Sequence, residues 1–308
     1  MKAIAMNRYG GPEVLSEMEL PDPKVGPDTV LVRVRTAGVN PVDWMVREGY
    51  LDGAFPAHFP IVPGWDLAGT VAVAGAAVTG FAAGDEVIGY ARRDEIQHGT
   101  YAELVPAPER ALARKPVNAS WAEAGALPLA GLTAYQALKA VGVGTGDTVL
   151  VHAGAGGVGH LAIQLAKVFG AQRVIATASA GNHSFVRSLG AEPVIYGEGL
   201  VERVQELAPE GVNAVLDLIG GSALTESAAL LGQPKRLVSV VDAETVLRLG
   251  GTYVFVKPST TDLTALAGLV DAGRLTINIA QTFPLAQAAQ AQSLVQEGHV
   301  RGKIVLEI

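Results

Sequence analysis

Residues 149–167, VLVHAGAGGVGHLAIQLAK, predict a buried β-strand that ends in a glycine-rich turn and leads directly into an amphipathic helix. Gly154, Gly156 and Gly159 have the spacing G-x-G-x-x-G. The first glycine allows a tight turn, the second lets the backbone approach a pyrophosphate, and the third lets helix pack closely on strand. The stretch therefore predicts a dinucleotide-binding turn with its phosphates at the helix N-terminus, and a glycine-rich turn without a ligand is the alternative. The candidate pyrophosphate-binding residues are Gly154, Gly156, Gly157, Val158 and Gly159.

The end of the second predicted strand, which begins at Arg173, indicates which dinucleotide binds. A site specific for NAD carries Asp or Glu near that end, where the carboxylate binds the ribose 2′-hydroxyl. Residues 178–183 are ASAGNH and contain no acid. A carboxylate there would repel a 2′-phosphate, whereas the hydroxyl of Ser179 can donate a hydrogen bond to one. The sequence therefore favours NADP(H), and the alternative is a site that accepts either cofactor.

The order of the predicted elements indicates the fold class and two domains. From about Ser120, strands alternate with helices, which is typical of an α/β fold with a parallel, doubly wound Rossmann sheet. Residues 1–117 instead form short strands broken by Gly and Pro, and residues 271–308 end in strand-like sequence. We predict a β-rich domain of 1–117 plus 271–308 and an inserted nucleotide-binding domain of 118–270. The predicted strands of the inserted domain are Thr148–His152, Arg173–Thr177, Pro193–Tyr196, Ala214–Leu218, Arg236–Val240 and Tyr253–Val256.

Composition excludes several classes of function. The 308 residues are 49% hydrophobic and 17% charged, which suits two well-buried domains. The net charge of −7 argues against binding to nucleic acid or to an anionic membrane. With no cysteine, disulfides, a thiol nucleophile and cysteine-ligated zinc are all excluded. The N-terminal sequence has no signal or transit pattern and the chain no long apolar run, so we expect a soluble, cytoplasmic protein.

Several separated segments carry the motifs of one family in the family's order. They are AGVNPVDW at 37–44, IVPGWDLAGTV at 61–71, VTGFAAGDEV at 78–87, GTYAE at 99–103, LAGLTAY at 129–135 and GHVRGKIV at 298–305. With the glycine-rich turn they cover nearly the whole chain. The chain resembles the zinc-independent medium-chain dehydrogenases/reductases, in the NADPH:quinone oxidoreductase branch that includes zeta-crystallin. The resemblance implies a GroES-like β-rich domain completed by the C-terminal tail.

Differences from the zinc-dependent relatives concern the metal ligands. Those enzymes place Cys, His and Cys where this chain has Asn40, Trp65 and Leu129 or a neighbour of Leu129. The stretch between Tyr90 and Gly99 is also too short for their four-cysteine lobe. The resemblance therefore implies no metal site. The six histidines show no ligand spacing, and we expect them on the surface or at helix starts: His58, His98, His152, His160, His183 and His299.

The resemblance implies hydride transfer from NADPH to a quinone or a related conjugated carbonyl. Such acceptors need no metal, because the conjugated system spreads the charge and hydrogen bonds stabilise it. The catalytic candidates are Asn40, Asp43 and Tyr50. Asn40 could instead form only an Asn-Pro turn, and Asp43 could pair with Arg47 on a helix. Tyr50 lies on a predicted loop, where it could offer a proton or a hydrogen bond to the acceptor.

Further cofactor-binding candidates come from the same resemblance. Thr133 lies in a segment that faces the nicotinamide in the family, and Lys303 could reach the cofactor or be a solvated lysine. Tyr196 joins Ser179 as a candidate for the 2′-phosphate. A basic residue common in this branch is replaced by Gly181, for which Arg187 could compensate. The remaining candidates, at or near the ends of predicted strands, are Leu218, Val240 and Phe255.

Two other functions remain open from the sequence. One is an enone, alkenal or enoyl-thioester reductase, which needs a proton donor near the substrate Cα. The other is a catalytically silent, crystallin-like protein that binds NADPH. The expected partners are a small-molecule substrate and a second copy of the chain. The homodimer would form by pairing of the strand Tyr253–Val256 across a two-fold axis, and a monomer with a covered strand is the alternative.

Overall fold

The strands and helices are taken from a computed structural model, which describes residues 1–232 and 236–308. The strands before the glycine-rich turn are β1 (Lys2–Ala5), β2 (Ser16–Glu19), β3 (Thr29–Val39), β4 (Ala57–Val62), β5 (Asp66–Ala74), β6 (Glu86–Tyr90), β7 (Ile96–His98), β8 (Leu104–Pro108), β9 (Leu112–Arg114) and β10 (Thr148–Val151). Those after it are β11 (Arg173–Thr177), β12 (Glu192–Val194), β13 (Ala214–Asp217), β14 (Leu237–Ser239), β15 (Thr252–Tyr253), β16 (Ile279–Pro284) and β17 (Lys303–Glu307).

The α-helices of the described residues are α1 (Pro41–Arg47), α2 (Trp121–Ala126), α3 (Pro128–Ala140), α4 (Gly159–Val168), α5 (His183–Ser188), α6 (Leu200–Leu207), α7 (Gly221–Ser227), α8 (Ala243–Arg248), α9 (Thr260–Asp271) and α10 (Ala288–Gln296). Short 3₁₀ helices cover Pro12–Val14, Glu109–Ala111, Ala180–Asn182, Ala228–Leu230 and Leu285–Gln287. None of the helices in the described ranges is both long and apolar enough to span a membrane.

The first compact unit consists of Met1–Leu129, Pro258–Gly273 and Ile277–Ile308. Its main sheet has the order β16-β17-β3-β5-β6-β9, and β8 also pairs with β3. In β3 the valines face the core while Arg33 and Arg35 are exposed, as period-two alternation predicts. β17 pairs antiparallel with β3, so the C-terminal tail completes the sheet of the N-terminal region.

The second compact unit consists of Ala130–Lys257 and Arg274–Thr276. Its six strands are all parallel, in the order β12-β11-β10-β13-β14-β15. This is the strand order of a Rossmann fold, in which the ligand lies beyond the carboxyl ends of the strands. β10 and β13 are at the centre, and their apolar residues are buried, as in a sheet covered by helices on both faces. The predicted fold class is confirmed.

The boundaries between the units differ from those predicted. The sequence predicts the first boundary after residue 117, whereas the first unit continues to Leu129 because α2 packs on β3 and β5. The Thr36 hydroxyl donates to the carbonyl of Trp121 at 2.7 Å, which ties α2 to that sheet. α9 likewise belongs to the first unit, since Asp271 accepts a hydrogen bond from the backbone N–H of Asn118.

Two strands of the second unit end at least two residues earlier than the sequence predicts. β12 ends at Val194 and not at Tyr196, because the Arg203 guanidinium donates a hydrogen bond to the carbonyl of Ile195 at 3.0 Å. β15 ends at Tyr253, although Val254 still donates to Ser239 at 3.0 Å. Beyond it, the amide of Gln136 bonds both the N–H and the carbonyl of Lys257. A side chain that competes for a backbone carbonyl therefore ends β12.

Candidate functional site

The turn after β10 is tightly folded around its first and third glycines. Gly154 donates to the carbonyl of Thr177 at 2.8 Å, and an added Cβ at Gly154 would lie 2.7 Å from the Cβ of Ala176. An added Cβ at Gly159 would lie 2.0 Å from the carbonyl oxygen of Ala153. Both positions therefore require glycine for packing, as the motif predicts.

The middle of the turn is open. An added Cβ at Gly156 would approach nothing closer than the carbonyl oxygen of Ala153 at 3.3 Å. Gly156, Gly157 and Val158 are half-buried, and in the described part of the chain the N–H groups of Gly157 and Val158 have no hydrogen-bond partner. α4 begins directly after them at Gly159. Free N–H groups beside a helix N-terminus form a cradle that fits a pyrophosphate.

The candidates for the 2′-phosphate follow two neighbouring strands. Ser179 follows β11 and is exposed, and Tyr196 follows β12 and is 57% exposed. Sequence reasoning missed Arg203 on α6, whose guanidinium donates to the carbonyls of Ile195 and Gly197 on both sides of Tyr196. Because its contacts are with carbonyls, Arg203 leaves a positive charge beside Tyr196. The sequence offers no signal for this residue, since its approach depends on the turn after β12.

Three of the other cofactor-binding candidates of the second unit lie just beyond the ends of strands, and the fourth lies in a helix. Leu218 and Val240 are half-buried and directly follow β13 and the end of β14. Phe255 is 48% exposed and lies two residues beyond β15. Thr133 is buried in α3. The carboxyl ends of these strands therefore present Leu218 and Val240 on the edge at which nucleotides bind in such sheets.

Asp217 organises the backbone at that edge. Its carboxylate accepts the N–H groups of Ile219 and Gly220, and the hydroxyl of Ser239 at 2.7 Å. Asp217 is fully buried, so these three donors replace the water that a carboxylate would otherwise bind. The segment between β13 and α7 is thereby held to the end of β14.

In the first unit, the catalytic candidates Asn40 and Asp43 lie in a buried polar network. Asn40 is the N-cap of α1, and its backbone N–H donates to the carboxylate of Asp43 at 2.8 Å. The hydroxyl of Tyr101 donates to the same carboxylate oxygen at 2.9 Å. Asn40 is 2% exposed and Asp43 is 1% exposed. Their role in α1 is therefore to fix its first turn.

The side-chain amide of Asn40 connects Lys303 to Asp66. The Lys303 ammonium donates to Asn40 Oδ1 at 2.5 Å and to the Val39 carbonyl at 3.1 Å. Asn40 Nδ2 donates to Asp66 Oδ2 at 2.9 Å, and Asp66 Oδ1 accepts the N–H of Leu129 at 2.7 Å. The amide orientation is thus set by charge, because the ammonium needs an oxygen and the carboxylate needs an N–H.

Burial dominates the acid–base behaviour of this network. It raises the pKa of Asp43 to about 6, against the lowering effect of the bonds from Asn40 and Tyr101. It raises the pKa of Asp66 to about 7, although the charge of Lys303 and the amide of Asn40 favour the ionised form. The same desolvation lowers the pKa of Lys303. Burial therefore favours the uncharged forms of Asp43, Asp66 and Lys303.

Three sequence-based interpretations are corrected by these contacts. The pairing of Asp43 with Arg47 is wrong. The Arg47 guanidinium donates instead to the side chains of Gln292 and Glu48. The Asp43 carboxylate accepts a hydrogen bond from the Tyr101 hydroxyl. A solvated Lys303 is also wrong, because its ammonium has two acceptors inside the sheet. An Asn-Pro turn without further contacts is also wrong, because the side chain of Asn40 bonds Lys303 and Asp66. Asp66 and Tyr101, which sequence reasoning did not name, lie within two of the family segments.

Tyr50 is separate from the buried network. Its side chain is 68% exposed and contacts Trp44 edge to face, with ring centroids 5.9 Å apart. Trp65, at the position of the zinc-binding histidine of the relatives, is 7% exposed and packs against Phe55 and Tyr90. The place of a metal ligand is thus taken by an aromatic cluster.

Two histidines of the second unit, His152 and His160, are buried. For His152 this contradicts the expectation of a position on the surface or at a helix start. His160 lies at the start of α4 as predicted, and its Nδ1 contacts the carbonyl of Gly156 at 2.9 Å. His152 lies at the end of β10, is 1% exposed and contacts the hydroxyl of Ser227 at 2.8 Å. In the ranges that the structure describes, no three His, Cys, Asp or Glu side chains are grouped as metal ligands would be.

The chain matches two family descriptions and is similar to characterised proteins along its whole length. "Alcohol dehydrogenase GroES-like domain" matches residues 26–117 and "Zinc-binding dehydrogenase" matches residues 189–306. The chain is 36% identical to an NADPH-dependent alkenal/one oxidoreductase of Arabidopsis thaliana chloroplasts, over 99% of this chain and 79% of that protein.

Solved structures give the same result. A quinone oxidoreductase from Coxiella burnetii has a TM-score of 0.89 and 36% identity, covering 100% of this chain and 99% of that one. A mycobacterial protein solved with NADPH, Rv1454c, has a TM-score of 0.86 and 30% identity, covering 100% of both chains. The chain therefore belongs to the zinc-independent medium-chain dehydrogenases/reductases, in the branch of the NADPH:quinone oxidoreductases.

Proposed function

We propose that the protein is an NADPH-dependent oxidoreductase that reduces a quinone or a related conjugated carbonyl. The observation that carries the proposal is the open cradle at Gly156–Val158, beside a second strand whose end has no acid. It is supported by relatives that are named as quinone and alkenal/one oxidoreductases. The bound cofactor supplies a hydride, which such acceptors take up without a Lewis acid.

The residues of the second unit bind and orient the cofactor in this proposal. The N–H groups of Gly157 and Val158 bind the pyrophosphate, and Gly154 and Gly159 hold the turn in shape. Leu218, Val240, Phe255 and Thr133 provide the apolar and hydroxyl contacts that exclude water from the nicotinamide and orient it. The dry surroundings strengthen the electrostatic interactions of the reacting groups.

The preference for NADPH rests on Ser179, Tyr196 and Arg203. The two hydroxyls follow neighbouring strands, since Thr177 in β11 pairs with Val194 in β12. Arg203 adds a positive charge beside Tyr196, where a 2′-phosphate gains from it and a 2′-hydroxyl does not. It provides the base that Gly181 lacks, whereas Arg187 is exposed on α5.

In the first unit, we assign different roles to the three catalytic candidates. Asn40 and Asp43 position α1 and the loop that follows it, because their polar groups are engaged inside the protein. Tyr50, which is exposed after α1, is the group that can offer its hydroxyl to the acceptor oxygen. Lys303 supports Asn40, because its ammonium donates to the Asn40 side-chain oxygen.

A substrate panel tests the proposal. NADPH oxidation is followed at 340 nm with benzoquinones and naphthoquinones, with alkenals and enones, and with an enoyl thioester. We expect turnover with quinones. Turnover with alkenals alone would favour the second candidate, which the Arabidopsis relative's name supports. NADPH binding without turnover of any acceptor would contradict an enzymatic function and favour a silent cofactor-binding protein.

We further infer a homodimer formed through the edge of the second unit's sheet. β15 is the last strand in the sheet order, and its outer side has no partner strand among the described residues. Phe255 lies 48% exposed next to it. An edge of this kind favours pairing with a second copy, because the same strand then completes both sheets.

A further inference from the structure

His152 is a buried imidazole whose position the proposed chemistry does not explain. It directly follows β10 and directly precedes the glycine-rich turn. Its Nε2 lies 2.8 Å from the Ser227 hydroxyl oxygen, and its Nδ1 lies 3.5 Å from the Thr177 hydroxyl oxygen. All three side chains are at most 1% exposed. The imidazole therefore links the last residue of β11 to the last residue of α7.

The Thr177 hydroxyl is also bound to the turn itself. Its oxygen accepts the N–H of Ala153 at 2.9 Å. Ala153 has φ +49°, and it is the one non-glycine residue with positive φ in the described part of the chain. The left-handed conformation is unfavourable for alanine, so it persists only where neighbouring contacts hold it. The bond from Ala153 to Thr177 is one of those contacts.

These contacts fit a hydrogen-bond chain that runs from Thr177 through His152 to Ser227. Because the Thr177 oxygen accepts from Ala153, its own proton is available to His152 Nδ1. In the neutral tautomer with its proton on Nε2, His152 accepts from Thr177 at Nδ1 and donates to Ser227. Burial lowers the pKa of His152, which favours the neutral ring, although the charge of Asp217 opposes this effect.

We propose that His152 is a positioning residue of the cofactor site, which holds the pyrophosphate-binding turn and α7 at a constant separation. α7 begins at Gly221, immediately after the segment that Asp217 binds. Through Thr177 and Ser227, His152 therefore connects the residues that bind the phosphates with those at the end of β13. The inference rests on the proposed binding of NADPH and not on the identity of the acceptor.

The test measures NADPH affinity without any substrate. His152→Leu fills the space with an apolar side chain and removes both ring nitrogens. We expect the NADPH Kd of this variant to rise about tenfold. His152→Gln keeps a donor that can reach Ser227 and is expected to restore most of the affinity. Val204→Ala, in the buried core of the same unit, is the matched control that lowers Tm without changing Kd.

A double-mutant cycle separates positioning from simple stability. Thr177→Val and Ser227→Ala should have non-additive effects on the NADPH Kd in the presence of His152 and additive effects in the His152→Leu background. Additive effects in both backgrounds would overturn the proposal. So would a His152→Leu variant that loses only Tm, as the control does, while its Kd is unchanged.

A spectroscopic measurement tests the protonation state that the chain requires. The ¹⁵N chemical shifts of His152 should indicate a neutral ring protonated on Nε2 from pH 5 to 8. Protonation of the ring in that range would contradict the assigned direction. If the protein binds NADPH but reduces none of the acceptors, the proposed substrate class fails while the role of His152 stands.

Discussion

At the scale of single residues, the least expected feature is the charge buried around Asn40. The sequence suggests a polar residue facing a substrate, whereas the structure shows an amide with an ammonium on one side and a carboxylate on the other. The two aspartates and Lys303 are all buried within one unit. Such a network is costly unless each member is hydrogen-bonded, and here each has at least two partners.

Asp66 is predicted to make stability depend on pH. Its pKa is about 7 in the folded protein and near the ordinary 3.8 when unfolded, so the folded state binds more protons between these values. Stability therefore falls as pH rises from about 5 to 7.5. Asp66→Asn should reduce that fall by about 2 kcal/mol, as measured by urea unfolding at both pH values.

Asp94→Asn is the control for this measurement, because the Asp94 side chain is 94% exposed. The control should show the same pH dependence as the parent protein. An Asp66→Asn variant whose stability falls with pH as steeply as that of the parent would mean that Asp66 ionises normally.

Arg203 is predicted to set the preference for NADPH. Arg203→Gln should raise the Kd for NADPH about tenfold and leave the Kd for NADH unchanged, because only the phosphate loses a charged partner. Arg203→Lys keeps the charge and should recover part of the preference. The measurement is a fluorescence titration with both cofactors.

Arg187→Gln provides the matched control on the neighbouring helix α5. Since Arg187 is exposed and the carbonyls beside Tyr196 bind Arg203, this variant should keep the parental preference. Loss of the preference in Arg187→Gln, with none in Arg203→Gln, would assign the role to the residue that the sequence suggested.

At the scale of elements, the turn between β10 and α4 divides its glycines by function. Gly154 and Gly159 have backbone or side-chain atoms closer than 3.0 Å to where a Cβ would be, and Gly156 does not. Gly154 and Gly159 are required for packing of α4 on the sheet. Gly156 leaves a surface to which a ligand can come close.

Gly156→Val is therefore predicted to fold with a small loss of stability and to lose cofactor affinity. Its side chain meets no protein atom closer than 3.3 Å at Cβ, but it occupies the side from which the pyrophosphate approaches. We expect Tm within a few degrees of the parent and an NADPH Kd raised at least about tenfold. Calorimetry and fluorescence quenching measure the two quantities.

Two other glycine variants serve as controls for this prediction. Gly159→Val places a Cβ 2.0 Å from the Ala153 carbonyl oxygen and should lower Tm strongly. Gly144→Val lies in the turn before β10, where an added Cβ approaches nothing closer than 3.9 Å, and should change neither quantity. Normal NADPH affinity in Gly156→Val would refute the assignment of the open cradle.

At the scale of the whole molecule, the exposed edge at β15 leads to a prediction about assembly. The strand is short, and Val254 directs its N–H inward to Ser239. A proline at Val254 would therefore disturb the chain's own sheet, and a charge at Phe255 is the better probe of the interface. Light scattering should report about twice the chain mass of 31.8 kDa.

Phe255→Glu places a charge opposite its own copy and should shift the protein toward the monomer. Val117→Glu is the control, because Val117 is an 85% exposed apolar residue of the first unit and not of the sheet that contains β15. A monomeric parent protein, or a dimer that Phe255→Glu leaves intact, would contradict an interface at this edge.

The sequence by itself determined the nucleotide-binding fold and the place of its turn. The glycine spacing, the apolar strand before it and the helix after it are local features, so each could be interpreted without knowing distant contacts. The alternation of strands and helices predicted the parallel sheet for the same reason. The pairing of the C-terminal tail with the N-terminal sheet followed from the family segments at both ends of the chain.

Only the tertiary structure decided which polar groups meet. Asn40, Asp66 and Lys303 are up to 263 residues apart in sequence, and strand pairing alone brings them together. Arg203 and His152 owe their contacts to a turn and to a neighbouring helix, which no periodicity reveals. The end of β12 was likewise set by a side chain that binds a backbone carbonyl. Burial then changed the protonation of these groups, because desolvation depends on everything packed around them.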